Sequence, residues 1–241
     1  MLFRSTMKEA HKTAWAPQWI EAWNKEILGL EERGVWEVVP ITAACLPLIS
    51  SKLVFNVKRD EDGYLDKFKI RAVARGFSQV DGMNYDSSKT YSPVVTLVTV
   101  RMLLCIFAAI RSVTIWHFDV SQAFLWAPLS EVIYLQPFDG MNVPPNHCLR
   151  LLKAIYGLKQ SSYEWYKTFK KALLELFYKP SDYDECVFTF HSGGSFIIVC
   201  IFVDDMLVFT NDTALKDKLL DRKSTRLNSS HSQQSRMPSS A

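Results

Sequence analysis

The chain has 241 residues, of which 48% are hydrophobic, 13% aromatic and 22% charged; this excludes a wholly disordered protein and allows one large or two small lobes. The formal charge of +3 excludes little until it is located: residues 221–241 hold four Lys/Arg and one Asp, leaving 24 of each sign in residues 1–220 and a neutral body. Five cysteines stand singly with no C-x-x-C pair, which argues against structural zinc and for reduced thiols in an intracellular setting.

The opening MLFRSTMKEAHK lacks the apolar segment of a signal peptide. PQWIEAWNKEILGLEERG (17–34) sets Ile20, Trp23, Ile27 and Leu30 at helical spacing, with Pro17 suited to the first turn and Gly34 to the exit. A short strand, VWEVVP, follows. Residues 52–76 form two strand-like runs around Asp60–Gly63 and read as a β-hairpin. Period-two alternation puts Lys67, Lys69 and Arg71 on one face of its second strand and Phe68, Ile70 and Ala72 on the other. Alone, that basic face reads as solvated surface; beside a phosphate it becomes a binding face.

LVTVRMLLCIFAAI (97–110) is too short to cross a bilayer and carries Arg101, so a buried helix is expected, and no membrane contact. VTIWHFDV (113–120) is strand-like and brings Asp119 to its end. In SSYEWYKTFKKALLELF, Ser161 and Glu164 have capping-box spacing, and Trp165, Phe169, Leu173 and Leu176 form an apolar stripe expected to end before Pro180. ECVFTF, the turn HSGGS and FIIVCIFV make a second hairpin, and Asp204 and Asp205 sit at the turn into MLVFT. Strands and helices alternate irregularly without a repeat, so the expected class is α+β.

Asp204 and Asp205 admit two readings. They are turn formers between core strands, or they join Asp119 in a cluster that is tolerable only around cations. Two Mg²⁺ ions about 4 Å apart suit such a cluster and point to phosphoryl transfer.

FDVSQAFLWAPLSEVIYLQPFDG, LLKAIYGLKQSSYEWY and FVDDMLVF, in this order, resemble the reverse transcriptase of copia-type long-terminal-repeat retrotransposons, and the likeness extends upstream to about residue 8. The resemblance implies the fingers and palm of a right-hand polymerase without a thumb: fingers at about 30–94 and 127–164, palm at about 95–126 and 165–220. It implies an RNA-directed DNA polymerase that takes dNTPs and a primer on an RNA or DNA template, working in the cytoplasm within a virus-like particle, or in the nucleus. Asp119, Asp204 and Asp205 would be the catalytic carboxylates and, with the Val120 carbonyl, the ligands of two Mg²⁺ (or Mn²⁺) ions. Phe124 would stand beside the sugar and exclude a 2′-hydroxyl; without the motif it reads as core packing. Gln160 and Arg71 would touch the nucleotide, assisted by Lys67 or Lys69, while Tyr156 and Gly157 would shape the template–primer floor.

The chain departs from the family pattern at several points. Ser161, Ser162 and Tyr163 stand where Ala-Pro-Arg is usual, Trp126 and Ala127 where Asn-Gly is common, and Phe202 where tyrosine is usual. Thumb, connection, RNase H and integrase regions are expected in a parent polyprotein and not in this chain. The departures keep open an alternative, a catalytically inactive remnant that at most binds nucleic acid. Residues 221–241 resemble a translated sequencing adapter: GATCGGAAGAGC reads Asp221-Arg222-Lys223-Ser224, and a Ser-rich segment with so few apolar residues is expected to be disordered.

Overall fold

A computed structural model describes residues 6–45, 47–227 and 235–236. In chain order the elements are α1 (Met7–Ala10), α2 (Ala16–Glu32), β1 (Trp36–Pro40), β2 (Ser51–Arg59), β3 (Leu65–Ala74), α3 (Leu97–Ala108), β4 (Thr114–Asp119), β5 (Pro128–Leu135), β6 (His147–Lys153), α4 (Ser161–Glu175), β7 (Lys179–Pro180), β8 (Val187–Ser192), β9 (Ser195–Phe202), β10 (Asp205–Thr210), α5 (Thr213–Leu227) and β11 (Ser235–Arg236). All strand pairs are antiparallel, so the mixed helix and strand content is of the α+β kind. The chain divides into two compact units, Met1–Thr90 with Ala127–Glu164, and Tyr91–Trp126 with Trp165–Ala241.

The first unit is organised by the β2–β3 hairpin. Its turn closes with Asp60 N–H donating to the Tyr64 carbonyl, and Gly63 supplies the positive φ of 84° that the turn requires. One face of the ribbon carries Phe55 and Phe68 against Trp19 of α2, at ring separations of 5.2 and 4.5 Å. The buried stripe of α2 is Trp19, Glu26, Ile27 and Leu30; Ile20, expected inside, is exposed. The shift has a cause. Trp19 reaches the hairpin aromatics, and the Glu26 carboxylate accepts the Ala72 N–H at 3.0 Å, which caps a backbone donor on the free edge of β3. A second sheet, in the order β1-β6-β5, completes this unit.

The second unit is built on a six-stranded sheet ordered β11-β4-β10-β9-β8-β7. Phe118, Val199, Ile201, Met206 and Val208 are buried on one face, as alternation along β4, β9 and β10 requires, and Phe209 is buried on the other, against Phe107 of α3. Gly193 and Gly194 close β8–β9 with positive φ at both positions, the geometry a two-residue hairpin loop prefers. Burial pushes the thiols of Cys186 and Cys200 up to about 12.

Two expectations are corrected in this unit. The helix α3 is not buried: Leu103 alone lies inside and Phe107 packs on Phe196 and Phe209, whereas Leu97, Val98, Met102 and Ile106 are exposed. The exposed side also carries Arg101, and a helix this rich in apolar residues has more hydrophobic surface than one sheet face can cover. Nor is the tail wholly without order, because α5 runs on to Leu227 and Ser235–Arg236 pair with His117 and Trp116 at the edge of β4. A nucleated helix extends at one hydrogen bond per residue ordered, and an open strand edge offers unpaired groups. The other tail residues, 228–234 and 237–241, lie outside the described residues. No helix among the described residues is long and apolar enough to cross a membrane.

Candidate active site

The acidic group belongs to the second unit, and strand register assembles it. β4 ends where β10 begins, with Asp119 and Asp205 as direct cross-strand partners. Between β9 and β10 the chain turns through Val203 and Asp204, and the Val120 N–H donates to the Asp204 carbonyl at 2.7 Å. The backbones of Asp119, Val120, Asp204 and Asp205 are therefore adjacent.

Two carboxylates directly opposed across a ladder repel, so the partners of each matter. The His117 Nε2 lies 3.0 Å from Asp205 Oδ1 and, because a carboxylate only accepts, it is the ring nitrogen that donates. The Ser121 hydroxyl donates to Asp119 Oδ2 at 3.5 Å. Both His117 and Asp205 are about half exposed. The turns flanking the acids are strained: Val203 has φ 55° and Gln122 has φ 55°, and a β-branched residue in that region costs about 1–3 kcal/mol. The buried Trp165 indole donates to the Val203 carbonyl at 2.7 Å.

In kind, carboxylates and a main-chain carbonyl fit a hard divalent cation. In arrangement the fit is partial. The backbones are brought together, but among the described residues no group of three or more His, Cys, Asp or Glu side chains converges closely enough to hold an ion. Phe124 lies five residues beyond Asp119, half-buried in the 3-10 turn Ala123–Trp126 of the same unit.

The remaining expected residues belong to the first unit. Lys67, Lys69 and Arg71 share the face of the hairpin away from α2, as alternation requires. Opposite them stand Lys58, Asn56 and Val54, and Lys52 follows on the same side. Lys52 and Lys58, evenly spaced along β2, thus extend the same basic face. The Arg71 guanidinium sits 5.4 Å from the centre of the Tyr156 ring, which joins the two residues in a cation–π contact.

Gly157 has a structural role that its expected one did not include. Its φ is 91°, and a Cβ there would stand 2.1 Å from the Ala74 carbonyl oxygen. The approach is reciprocal, since a Cβ on Gly76 would be 2.1 Å from the Gly157 oxygen, and the Gly76 N–H donates to that oxygen at 3.1 Å. With Ala74 N–H donating to the Tyr156 carbonyl at 2.8 Å, the end of β3 is laid directly on residues 156–157.

Gln160 departs from expectation. It is fully buried: its Oε1 accepts from Gln79 Nε2 at 2.9 Å, and its Nε2 donates to the Asn84 carbonyl at 3.0 Å and to Glu131 Oε2 at 3.4 Å. Both ends of the amide are taken by protein groups. Gln79, which the sequence reading passed over, is the hub. It is 4% exposed, donates to the Asn84 carbonyl as well, and accepts the Lys159 N–H at 2.8 Å. The expected capping box is not the one formed: the Ser161 hydroxyl donates to the Ile155 carbonyl, and Glu164 accepts from Ser130.

Comparison with known proteins decides the family. Residues 33–228 match the family described as reverse transcriptase (RNA-dependent DNA polymerase). The chain belongs to the reverse transcriptase family. It is 34% identical over 211 residues to the retrovirus-related Pol polyprotein from transposon RE2 of Arabidopsis thaliana, covering 87% of this chain and 14% of that one. It is 34% identical over 205 residues to the Pol polyprotein from transposon TNT 1-94 of Nicotiana tabacum, covering 84% and 15%. To the transposon Ty1-NL2 Gag-Pol polyprotein of Saccharomyces cerevisiae it is 32% identical over 219 residues, covering 84% and 11%. These relatives are copia-type Pol polyproteins, as the ordered motifs led us to expect, and this reverse transcriptase chain spans about a seventh of the first one's length. Among solved structures, a telomerase from Candida albicans in complex with a telomeric RNA fragment aligns with a TM-score of 0.46 at 11% identity, covering 88% of this chain and 44% of that one.

Proposed function

We propose that the chain is the fingers-and-palm part of a copia-type RNA-directed DNA polymerase, the first unit serving as fingers and the second as palm, with the thumb, RNase H and integrase regions supplied elsewhere in a parent polyprotein. Its substrates are dNTPs and a primer on an RNA or DNA template, and residues 221–241 are adapter-derived. The observation that carries this reading is the register of Asp119 with Asp205, with Asp204 at the adjoining turn.

Asp119, Asp204, Asp205 and the Val120 carbonyl would hold the divalent ions. Bound Mg²⁺ or Mn²⁺ supplies polarisation of the primer 3′-hydroxyl and neutralisation of the departing pyrophosphate. The protein groups do the rest. His117 donates to Asp205 and leaves that carboxylate's other oxygen for a ligand. The Phe124 ring presents bulk where a 2′-hydroxyl would sit. Arg71, with a planar fork suited to phosphate oxygens, leads the phosphate-binding face and Lys67 and Lys69 add charge. Gln160 acts from inside the fold, by holding residues 79–84 against the start of α4.

Primer extension on poly(rA)/oligo(dT) tests the reading, using the chain continued past Leu220 into the following region of a copia-type Pol. Extension is expected to require Mg²⁺ and to vanish in Asp204→Asn; equal extension by that variant removes the metal role. A second reading, a remnant that binds nucleic acid without catalysis, is favoured by the side chains of the acids not converging. Binding that weakens with salt, together with no extension, selects it.

A further inference from the structure

The β9–β10 turn holds a conformation that its own residue disfavours, and a donor from a distant element holds it there. A two-residue hairpin loop with positive φ at its first central position normally has glycine there; this one has Val203 at φ 55°. Trp165, 38 residues earlier on α4 and 1% exposed, donates its indole Nε1–H to the Val203 carbonyl at 2.7 Å. That carbonyl belongs to the peptide linking Val203 to Asp204. The following peptide, linking Asp204 to Asp205, is held through the Asp204 carbonyl by the Val120 N–H, also at 2.7 Å. Both peptide planes flanking Asp204 are therefore pinned, one from α4 and one from the end of β4. Only two backbone torsions lie between the planes, so pinning both sets the direction in which the Asp204 side chain leaves the turn.

We propose that Trp165 is a positioning residue for Asp204: its indole N–H clamps the strained Val203 turn and aims the Asp204 carboxylate at a hard divalent cation. The inference rests on the metal-binding reading given above. The ring itself packs on Phe169 at 5.2 Å, so a large aromatic is needed for the core, whereas the N–H is needed only for the turn. The clamp is required because the residue is valine; glycine would take the same φ unaided.

That difference supplies the test. Mn²⁺ binding to the full chain is measured by the loss of the free-ion paramagnetic resonance signal, in wild type, Trp165→Phe, Val203→Gly and the double variant. Trp165→Phe is expected to weaken Mn²⁺ binding about tenfold or more, the range for groups that orient metal ligands. In the Val203→Gly background the same substitution is expected to weaken it less than about threefold, because sites that share one function are not additive. A factor that is equal in both backgrounds marks a mere loss of ring volume and overturns the proposal, as does no change at all. Amide hydrogen exchange at Asp204 and Asp205, which needs no metal, is expected to quicken in Trp165→Phe and to recover in the double variant. If wild type binds no Mn²⁺, the metal reading fails, and the clamp stands or falls on exchange alone; unchanged protection overturns it.

Discussion

The acidic turn of the second unit and the basic hairpin of the first are held by opposite means. Around Asp204, direction comes from hydrogen bonds to main-chain carbonyls, and the acids themselves lie at strand ends, with Asp205 about half exposed. Around Arg71, position comes from backbone laid on backbone at Gly76 and Gly157, and from a buried amide network through Gln79 and Gln160. The first arrangement leaves carboxylates at the surface with backbone strain beneath them; the second puts a glutamine in the interior.

The comparison breaks most easily at Gly157. Alanine there would drive a Cβ to 2.1 Å from a carbonyl oxygen at a φ of 91°, so Gly157→Ala should destabilise by on the order of 3–5 kcal/mol in denaturant unfolding. A value under about 1 kcal/mol would show that the backbones are not in contact. Next in size is Gln79→Leu, which leaves the Lys159 N–H and the Gln160 amide short of partners inside the fold and should cost about 1–3 kcal/mol. Solvent exchange at the Lys159 amide should rise in the same variant.

The smallest effect concerns the second unit and is pH-dependent. Burial pushes the Asp184 carboxyl up, but donors at Thr96, Thr99 and Cys186 outweigh it and hold the group below the ordinary carboxylate value. A lowered native value means that this stabilisation is present above the unfolded-state pKa and is lost as pH falls through the native one. Asp184→Asn should therefore cost about 1 kcal/mol near neutrality and flatten the acid limb of the stability curve. An unchanged acid limb would count against these bonds.

Much of this was readable from residue order. Alternation placed Lys67, Lys69 and Arg71 on one face, and two strands ending in acids pointed to Asp119, Asp204 and Asp205 lying at one sheet edge. What escaped was whatever depended on a partner far along the chain. The burial of Gln160 escaped because its partner Gln79 lies 81 residues earlier. Trp165 looked like one more apolar residue in a stripe, because periodicity records a ring and not where its N–H points. At the start of α2 the inward position moved from Ile20 to Trp19 for the same reason, since only the hairpin aromatics decide it, while Ile27 and Leu30 stayed inside. The exposure of α3 had one signal, Arg101 on its exposed face, which the apolar residues around it outweighed.

The central claim is that the strand ends at Asp119 and Asp205, with the turn at Asp204, form one divalent-cation site. Crystals of the chain soaked in Mn²⁺ and measured at the manganese absorption edge test it directly. The account predicts anomalous density within coordination distance of Asp119 and of at least one of Asp204 and Asp205, lost in Asp119→Asn. Manganese bound elsewhere, or bound there equally in that variant, would contradict it.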